Sequence, residues 1–359
     1  VRIMAYTTID DPSEYFTTTL YTGNESTNAI TNSANAGDFQ PDWAWFKSRN
    51  SATHHRLYDS SRGALKNILS SAANTEATTA NSLTSFDSNG FTLGSDDNSN
   101  QNTKTFVAWQ WKANGGTTSS NTDGDITSTV QANTTAGFSI VTFTGNATAG
   151  QTVGHGLGVK PEFIFAKNRS NGNNWNCYVE ATDNTGDYTL TLNGTGARSN
   201  SFNMWNDTAP TSSVITLGDR NETNGSSHNM VFYCFHSIKG YSKFGKYTGN
   251  ITSGSDGAFV YTGFKPAWIM VKSDSNSGQE WVIFDNKRDT FNQMDAWLYA
   301  NATTTEDSTG DARDVDFLSN GFKFRNAGGP TSYSGRTYIY MAFAEHPFVS
   351  SKGVPVTAR

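Results

Sequence analysis

The chain has 359 residues and a formal net charge of -6, from 26 Lys and Arg against 32 Asp and Glu. Its 23 Phe, 14 Tyr and 9 Trp exclude a disordered chain because they need packed cores, and the acidic balance without a Lys/Arg run excludes a nucleic-acid-binding stripe. Thr and aromatic residues favour strands, while the 33 Gly and the many Asn favour turns, so the composition predicts an all-β protein.

The N-terminal residues contain no apolar stretch of signal-peptide length. Met4 is expected to be the natural start, with Val1 to Ile3 derived from upstream sequence or cloning. No apolar run approaches the roughly 20 residues of a membrane span, so we expect no membrane insertion.

Three strings recur in the same order along the chain, and this repetition predicts three copies of one unit. The first string has the form Phe/Tyr-Thr-Gly-Asn and ends at Asn24, Asn146 and Asn250. The second is a Pro-led apolar run that begins at Pro41, Pro161 and Pro266. The third is an aromatic run that begins at Phe106, Val231 and Tyr338.

Each copy is predicted to consist of short strands, because the apolar runs are about five residues long and follow a proline. About six or seven strands in about 100–110 residues indicate a sandwich, and a jelly roll is equally compatible. The predicted fold class is therefore all-β, with three tandem antiparallel β-sandwich modules of jelly-roll or lectin-like type. The middle copy is the divergent one.

The predicted modules span residues 1–114, 136–239 and 240–347. Residues 115–135 are rich in Gly, Ser, Thr and Asn and are expected to be a linker, which favours separate beads at the first junction. Residues 348–359 are expected to be an extended tail along an edge or a neighbour, because prolines bar a central strand.

Two local patterns add detail. Asn-Gly before Phe, after Ser88 and again after Ser319, predicts a hairpin in the first and third copies. The stretch from Arg62 to Asn81 has helical composition, but its counterpart in the third copy is strand-like, so helix and strand both stay open there.

The sequence contains no HExxH zinc motif and no GxSxG nucleophile elbow. We therefore predict no catalytic residues, no metal site and no cofactor. The two cysteines, Cys177 and Cys234, are too few for a disulfide framework. One bridge is possible, but two buried free thiols are expected.

An Asp-x-x-Arg spacing recurs in the first and third copies, as Asp59 with Arg62 and as Asp285 with Arg288. We interpret these as structural pairs that fix a strand-to-loop corner, since an Arg–carboxylate contact is geometrically specific. A recurring ligand site is the alternative.

Four tryptophans fall in segments that differ between the copies and are candidates for carbohydrate binding: Trp205, Trp297, Trp175 and Trp281. Exposed rings among Asn, Gly and Asp can stack on a sugar while polar neighbours bind its hydroxyls. For Trp175 and Trp281, a place in the next core strand is the favoured alternative, because each follows the shared lysine strand closely. For Trp205 and Trp297 both interpretations stay open.

Several longer strings together are specific. They include AYTTIDDPSEYF from Ala5, TFVAWQWKA from Thr105, VGHGLGVKPEFIFAKNRS from Val153 and AFAEHPFVSSKGVPVTAR from Ala342. They resemble a repeat family common in virion proteins of marine bacteriophages, whose members are often described as tail-fibre or structural proteins with a repeat domain of unknown function. The resemblance covers nearly the whole chain, except that the middle copy lacks the Asp-x-x-Arg-Gly element. It implies a particle component and transfers no functional residue.

These observations lead to one main expectation and two alternatives. The chain is expected to be a virion structural protein, a tail-fibre or spike component that binds host-surface glycan. A capsid head-fibre or decoration protein without a specific ligand is one alternative, and a polysaccharide depolymerase is the other, although the motifs argue against an enzyme. We expect a homo-oligomer, a trimer by analogy, that contacts other virion proteins and binds no nucleic acid. It would assemble in the host cytoplasm and lie exposed on the particle.

Overall fold

The computed structural model describes residues 5–32, 38–252, 256–308 and 313–355, so Met4 and Val1 to Ile3 lie outside the described residues. The protein is all-β, with 42% of residues in strands and 4% in helices, and its sheets are antiparallel. The fold class predicted from composition is confirmed at this level.

In residues 5–32 and 38–114, the first part of the chain forms nine strands, a 3-10 helix at Pro12–Glu14 and a short helix α1 at Asp97–Asn100. The strands are β1 (Phe16–Thr22), β2 (Asn28–Thr31), β3 (Trp43–Ser48), β4 (Arg56–Asp59), β5 (Lys66–Leu69), β6 (Ala77–Thr78), β7 (Leu83–Asp87), β8 (Gly90–Leu93) and β9 (Thr105–Trp111).

The second part forms ten strands and the short helices α2 (Phe202–Trp205) and α3 (Asn221–Asn224). The strands are β10 (Ser119–Asn121), β11 (Ser128–Asn133), β12 (Phe138–Thr144), β13 (Thr152–Gly154), β14 (Phe163–Asn168), β15 (Asn176–Val179), β16 (Tyr188–Thr191), β17 (Ser199–Asn200), β18 (Val214–Thr216) and β19 (Asn229–Phe235).

The third part forms eight strands in the described residues. They are β20 (Ser242–Thr248), β21 (Phe259–Tyr261), β22 (Phe264–Ser273), β23 (Val282–Asp285), β24 (Leu298–Tyr299), β25 (Val315–Leu318), β26 (Gly321–Phe324) and β27 (Thr337–Pro347).

Each part contributes one large sheet with the same order of strands. The first large sheet runs β1-β9-β3-β4-β5-β6, and the third runs β20-β27-β22-β23-β24. The second runs β12-β19-β14-β15-β16-β17, with β11 and β10 added outside β12. Three small sheets complete the described structure, in the orders β2-β8-β7, β13-β18 and β21-β26-β25.

The strand register shows which residues correspond between the large sheets. Trp43 pairs with Trp111 across β3 and β9, as Phe163 does with Phe235 and Trp268 with Phe343. On the other side of the same strands, the partners are Asp59, Val179 and Asp285. This shared register is the structural counterpart of the repeated strings.

The two faces of each large sheet are buried differently. One face packs against the small sheet of the same part, in clusters that include Phe46 with Phe91 in the first part and Phe284 with Phe324 in the third. The other face enters one cluster that all three large sheets build, which we call the shared core. There the Trp43 ring stacks on Tyr233 with centroids 4.6 Å apart.

The shared core explains why almost every residue of the central strands is buried, including both faces of β3, β14 and the second half of β22. Rings of all three sheets meet in it: Phe16 stacks on Phe343 at 5.2 Å, and Phe235 contacts Phe343 at 6.0 Å. The expectation of separate beads at the first junction is therefore wrong, because a bead keeps its own closed core.

The predicted linker also differs from the structure. Residues 115–135 contain β10 and β11, and β11 pairs with β12 from Thr129 opposite Thr142 to Asn133 opposite Phe138. The stretch from Arg62 to Asn81 is not helical but holds β5 and β6. Residues 348–355, the described part of the predicted tail, do not run extended, since Ser350 accepts a hydrogen bond from the Gly353 N–H within a turn.

Both Asn-Gly hairpins are confirmed, and so are the strands that follow Pro41 and Pro161. Pro266 does not lead its strand, because β22 already begins at Phe264. Strands β7 and β8 pair up to Asp87 opposite Gly90, so the turn residues are Ser88 and Asn89. In this hairpin the glycine opens the second strand with φ +124°, and a Cβ there would meet the Ile30 carbonyl oxygen at 2.0 Å. Only glycine fits that approach of β8 to β2.

Candidate functional site: the joints of the large sheets and a cavity beside β1

The first recurring Asp/Arg pair lies where the first and second large sheets meet, a contact that we call the first joint. Asp59 ends β4 and accepts hydrogen bonds from the Arg62 backbone N–H at 2.8 Å and from the Arg62 Nε. The Tyr233 hydroxyl on β19 donates to the same carboxylate at 2.6 Å. Both side chains of the pair are fully buried, so the ion pair joins two sheets as well as fixing a corner.

Further charges extend the first joint. Arg62 donates through Nη2 to the Leu57 carbonyl at 3.1 Å and through Nη1 to Glu76 at 2.9 Å. Arg169, which follows β14, binds Glu76 through Nε at 2.8 Å and Nη2 at 2.9 Å. Although burial opposes its charged form, the Asp59 carboxylate raises the pKa of Arg62. The guanidinium therefore stays charged inside the protein.

The second recurring pair builds the same arrangement between the third and first large sheets, the third joint. Asp285 accepts from the Arg288 N–H at 2.9 Å and the Arg288 Nε at 2.5 Å, while Trp109 Nε1 on β9 donates to it at 2.9 Å. Arg288 reaches Glu306 at 3.1 Å, and Arg49 binds Glu306 at 2.7 Å. Trp109 thus takes the role that Tyr233 has in the first joint.

The second joint, between the second and third large sheets, is built from different residues at the same places. Val179 replaces the aspartate, and Met341 stands where the register places Trp109 and Tyr233; both are buried in the shared core. The ion pair that corresponds to Glu76 with Arg169 has its charges reversed here, because Arg198 takes the place of Glu76 and lies 3.9 Å from Asp274. The backbone contact is nevertheless conserved among the joints, because the Arg198 N–H donates to the Asp274 carbonyl as Glu76 does to Arg169 and Glu306 to Arg49.

The three joints close a head-to-tail ring of sheets. The corner of the first sheet meets the second sheet, that of the second meets the third, and that of the third returns to the first. The corresponding polar residues of the three copies are thus used for contacts between sheets.

A buried lysine recurs on the central strand of each large sheet, and we call these residues the strand lysines: Lys47, Lys167 and Lys272. Their ammonium groups bind backbone carbonyls, including Ala73 across the first joint at 3.2 Å and Gly196 across the second at 2.8 Å. Burial lowers the pKa of each of the three to about 8.

The four tryptophans that were candidates for carbohydrate binding are all buried, so none of them binds carbohydrate through an exposed ring. The core position favoured for Trp175 and Trp281 is confirmed, and for Trp205 and Trp297 the core is the outcome of the two open interpretations. Trp175 and Trp281 belong to the shared core, and each indole crosses a joint: Trp175 Nε1 donates to the Leu69 carbonyl at 2.7 Å and Trp281 Nε1 to Thr191 at 3.0 Å. Trp205 packs in the second sheet pair and Trp297 in the third, both 1% exposed or less. None offers a ring face to a ligand.

Both cysteines are free and buried, as expected. Cys177 lies in the shared core and Cys234 in the second sheet pair, so they face opposite sides of one large sheet and cannot meet. Burial raises the pKa of both thiols.

Two exposed rings lie on the edge strand β21, with the half-buried Tyr6 next to them, and we call Tyr6, Phe259 and Tyr261 the ring patch. Phe259 is 46% and Tyr261 49% exposed. The Tyr6 hydroxyl lies 3.3 Å from that of Tyr261, and the Lys243 ammonium lies 5.2 Å from the centre of the Tyr261 ring. Nothing in the sequence distinguished these rings from core residues, because β21 is too short for a periodic pattern.

A cavity of about 500 Å³ lies between the edge of β1 and the corner of the third sheet. Its lining includes Thr17 and Thr18 of β1, together with Ala267, Asn286 and Lys287 of the third part. Thr18 is 6% exposed, and its Oγ1 has no hydrogen-bond partner among the described residues. The Asn286 Oδ1 is likewise buried without a partner there. Sequence reasoning missed this site, because its walls come from opposite ends of the chain.

No group of three or more His, Cys, Asp or Glu in the described parts of the chain is arranged to hold a metal ion. Of the helices described, none has the length and apolarity to cross a bilayer.

The fold and the joints define an all-β protein whose three large sheets close into a ring around one core. The chain belongs to the family described as "Domain of unknown function (DUF7483)", which it matches over residues 11–347. No curated protein and no solved structure matches the chain.

Proposed function

We propose that this protein is a non-enzymatic structural component of a bacteriophage virion, built from three copies of one antiparallel β-sandwich module. The observation that carries the proposal is the shared core, because it turns three repeated units into one body held at three joints. A virion protein that contacts the host is expected to be rigid, without a flexible junction between its modules. The similarity of the sequence strings to phage virion repeat proteins is the reason for proposing that this body is part of a bacteriophage virion.

We further propose a tail-fibre or spike component that binds host-surface glycan through the ring patch. Aromatic faces stack on the apolar face of a sugar, and a lysine beside them can pair with acidic sugars. The exposure of Phe259 and Tyr261 beside Lys243 favours this use over the buried tryptophans. A capsid decoration protein without a ligand is the second candidate. It is favoured by the fact that the recurring Asp and Arg residues are buried in contacts within the joints, which leaves them no free group for a ligand.

The location of the chain in an intact particle tests the virion proposal. Antibody labelling of purified phage, viewed by electron microscopy, should place the chain at a tail tip or spike. Labelling on the capsid lattice would favour the decoration protein, and absence from the particle would contradict both candidates.

A glycan array tests the ring patch. The parent protein should bind surface polysaccharide of its host, and Tyr261→Ala should abolish binding. Tyr333→Ala is the matched control, because Tyr333 is 41% exposed but lies outside the ring patch. Parent protein that binds no glycan would contradict the attachment role. The expected homotrimer is tested by the mass of the protein in solution.

A further inference from the structure

Three strands occupy equivalent outer positions in the large sheets: β1 next to β9, β12 next to β19 and β20 next to β27. An outer strand exposes unpaired N–H and C=O groups that can pair with another chain. The three edges are treated differently by this sequence. Among the strands of the described residues, β12 alone is covered by a further strand, β11.

The edge of β20 carries a different protection. Its sequence, SKFGKYT, contains Lys243 and Lys246 around Gly245. Lysines on an edge strand oppose pairing, because adding a strand would bury or crowd their charges. The edge of β1 reads FTTTLYT and has neither a charge nor a proline. No strand within the described residues covers it.

The covered edge shows how an added strand fits a joint. From β11, Gln131 reaches the corner of the first sheet and hydrogen-bonds Ser60 at 3.0 Å and Ser61 at 2.9 Å through Nε2. Its Oε1 accepts from the Asn114 N–H at 3.2 Å. The buried amide is therefore held between the added strand and the neighbouring sheet.

The corresponding place beside β1 is the cavity. Asn286 and Lys287 stand where Ser60 and Ser61 stand in the first sheet, since the Asn286 N–H donates to Ala267 as the Ser60 N–H donates to Asp42. The cavity of about 500 Å³ lies where a counterpart of Gln131 would project. Thr18 Oγ1 and Asn286 Oδ1 are two buried polar atoms at this place that have no hydrogen-bond partner among the described residues.

We propose that the edge of β1 binds an extended segment of a second, different polypeptide, which pairs antiparallel with β1 as β11 pairs with β12. Main-chain hydrogen bonds supply the affinity in this mode, and alternate side chains supply the specificity. The segment is rich in β-branched residues, and it places an amide side chain on Asn286. The inference rests on the edge and the cavity and does not depend on the virion proposal.

A synthetic peptide with the sequence of residues 126–133, ITSTVQAN, is the probe, because it already forms such a strand on β12. Fluorescence polarisation should show saturable binding to the whole protein at micromolar to millimolar peptide. Hydrogen exchange should show new protection confined to β1. A peptide N-methylated at alternate residues, which loses ladder donors, should bind about tenfold or more weakly.

Leu20→Lys copies the protection of the β20 edge, since Leu20 corresponds to Lys246. It should weaken peptide binding about tenfold while the unfolding curve stays unchanged. Leu65→Lys is the matched control, because Leu65 is 37% exposed against 38% for Leu20 and lies away from the edge. No binding at millimolar peptide, or binding that survives both N-methylation and Leu20→Lys, would overturn the proposal. Self-association of the protein lost in Leu20→Lys would assign the edge to a second copy and would also overturn it.

Discussion

The effect of removing the Asp59–Arg62–Tyr233 contact from the first joint can be predicted by comparison with the second joint of the same protein. The second joint already has uncharged residues at the corresponding positions. Val179 and Met341 are placed there by the strand register, and Thr182 follows Val179 by three residues as Arg62 follows Asp59. Asp59→Val removes the acceptor of three hydrogen bonds and leaves a guanidinium whose side chain is 0% exposed. Removing one partner of a buried ion pair costs about 3–5 kcal/mol of unfolding free energy.

The remaining contacts of Arg62 with Glu76 and Leu57 place the expected loss for Asp59→Val near the lower end, about 3 kcal/mol. The triple variant Asp59→Val, Arg62→Thr, Tyr233→Met removes the stranded charge together with its partners. Because replacing a whole buried ion pair by packed apolar groups is often neutral, this variant should recover most of the loss.

Guanidinium unfolding followed by tryptophan fluorescence measures both effects, with all variants at the same pH and salt. Asp285→Val is the matched variant in the third joint and should lose a similar free energy, since Trp109 replaces Tyr233 there. A triple variant no more stable than Asp59→Val would refute the view that the unpaired guanidinium causes the loss.

Three further outcomes are expected. The pKa of each strand lysine is about 8 in the folded protein against 10.5 in the unfolded chain, so the unfolded state binds more protons between these two pH values. The unfolding free energy should therefore rise by about 2 kcal/mol from about pH 7.5 to pH 8.5, and a fall would contradict the burial of these lysines. In the second joint, Arg198→Glu should lower the unfolding free energy by about 1 kcal/mol by opposing Asp274, and adding Asp274→Arg should restore part of it in a double-mutant cycle. The two thiols should react with a thiol reagent only as fast as the protein unfolds, whereas rapid labelling at native conditions would show them accessible.

The sequence predicts those features of the fold that neighbouring residues determine. The strands after Pro41 and Pro161 follow from a short apolar run behind a proline, and the turn at Ser88 follows from Asn-Gly. The Asp59–Arg62 pair was also within reach, because three residues of spacing at a strand end bring the two groups together.

The features that sequence reasoning missed depend on which sheets meet. The core position of Trp175 was the favoured interpretation, but its partner could not be predicted, because its indole donates to the Leu69 carbonyl, 106 residues away. Gln131 and the rest of β11 have the composition of a linker, and only the exposed edge of β12 makes them a strand. Composition reflects only neighbouring residues along the chain, whereas the burial of these residues depends on how the three large sheets pack together.

The ring has a consequence for how the protein reaches its folded state. The Asp10 carboxylate accepts a hydrogen bond from the Ser351 N–H at 2.6 Å, and Arg49 meets Glu306, so contacts that complete the first sheet arrive from more than two hundred residues later. Such distant pairing slows folding and prolongs the exposure of apolar surface. During synthesis, the aromatic face of the first sheet therefore lacks part of its core until the third sheet has also been translated.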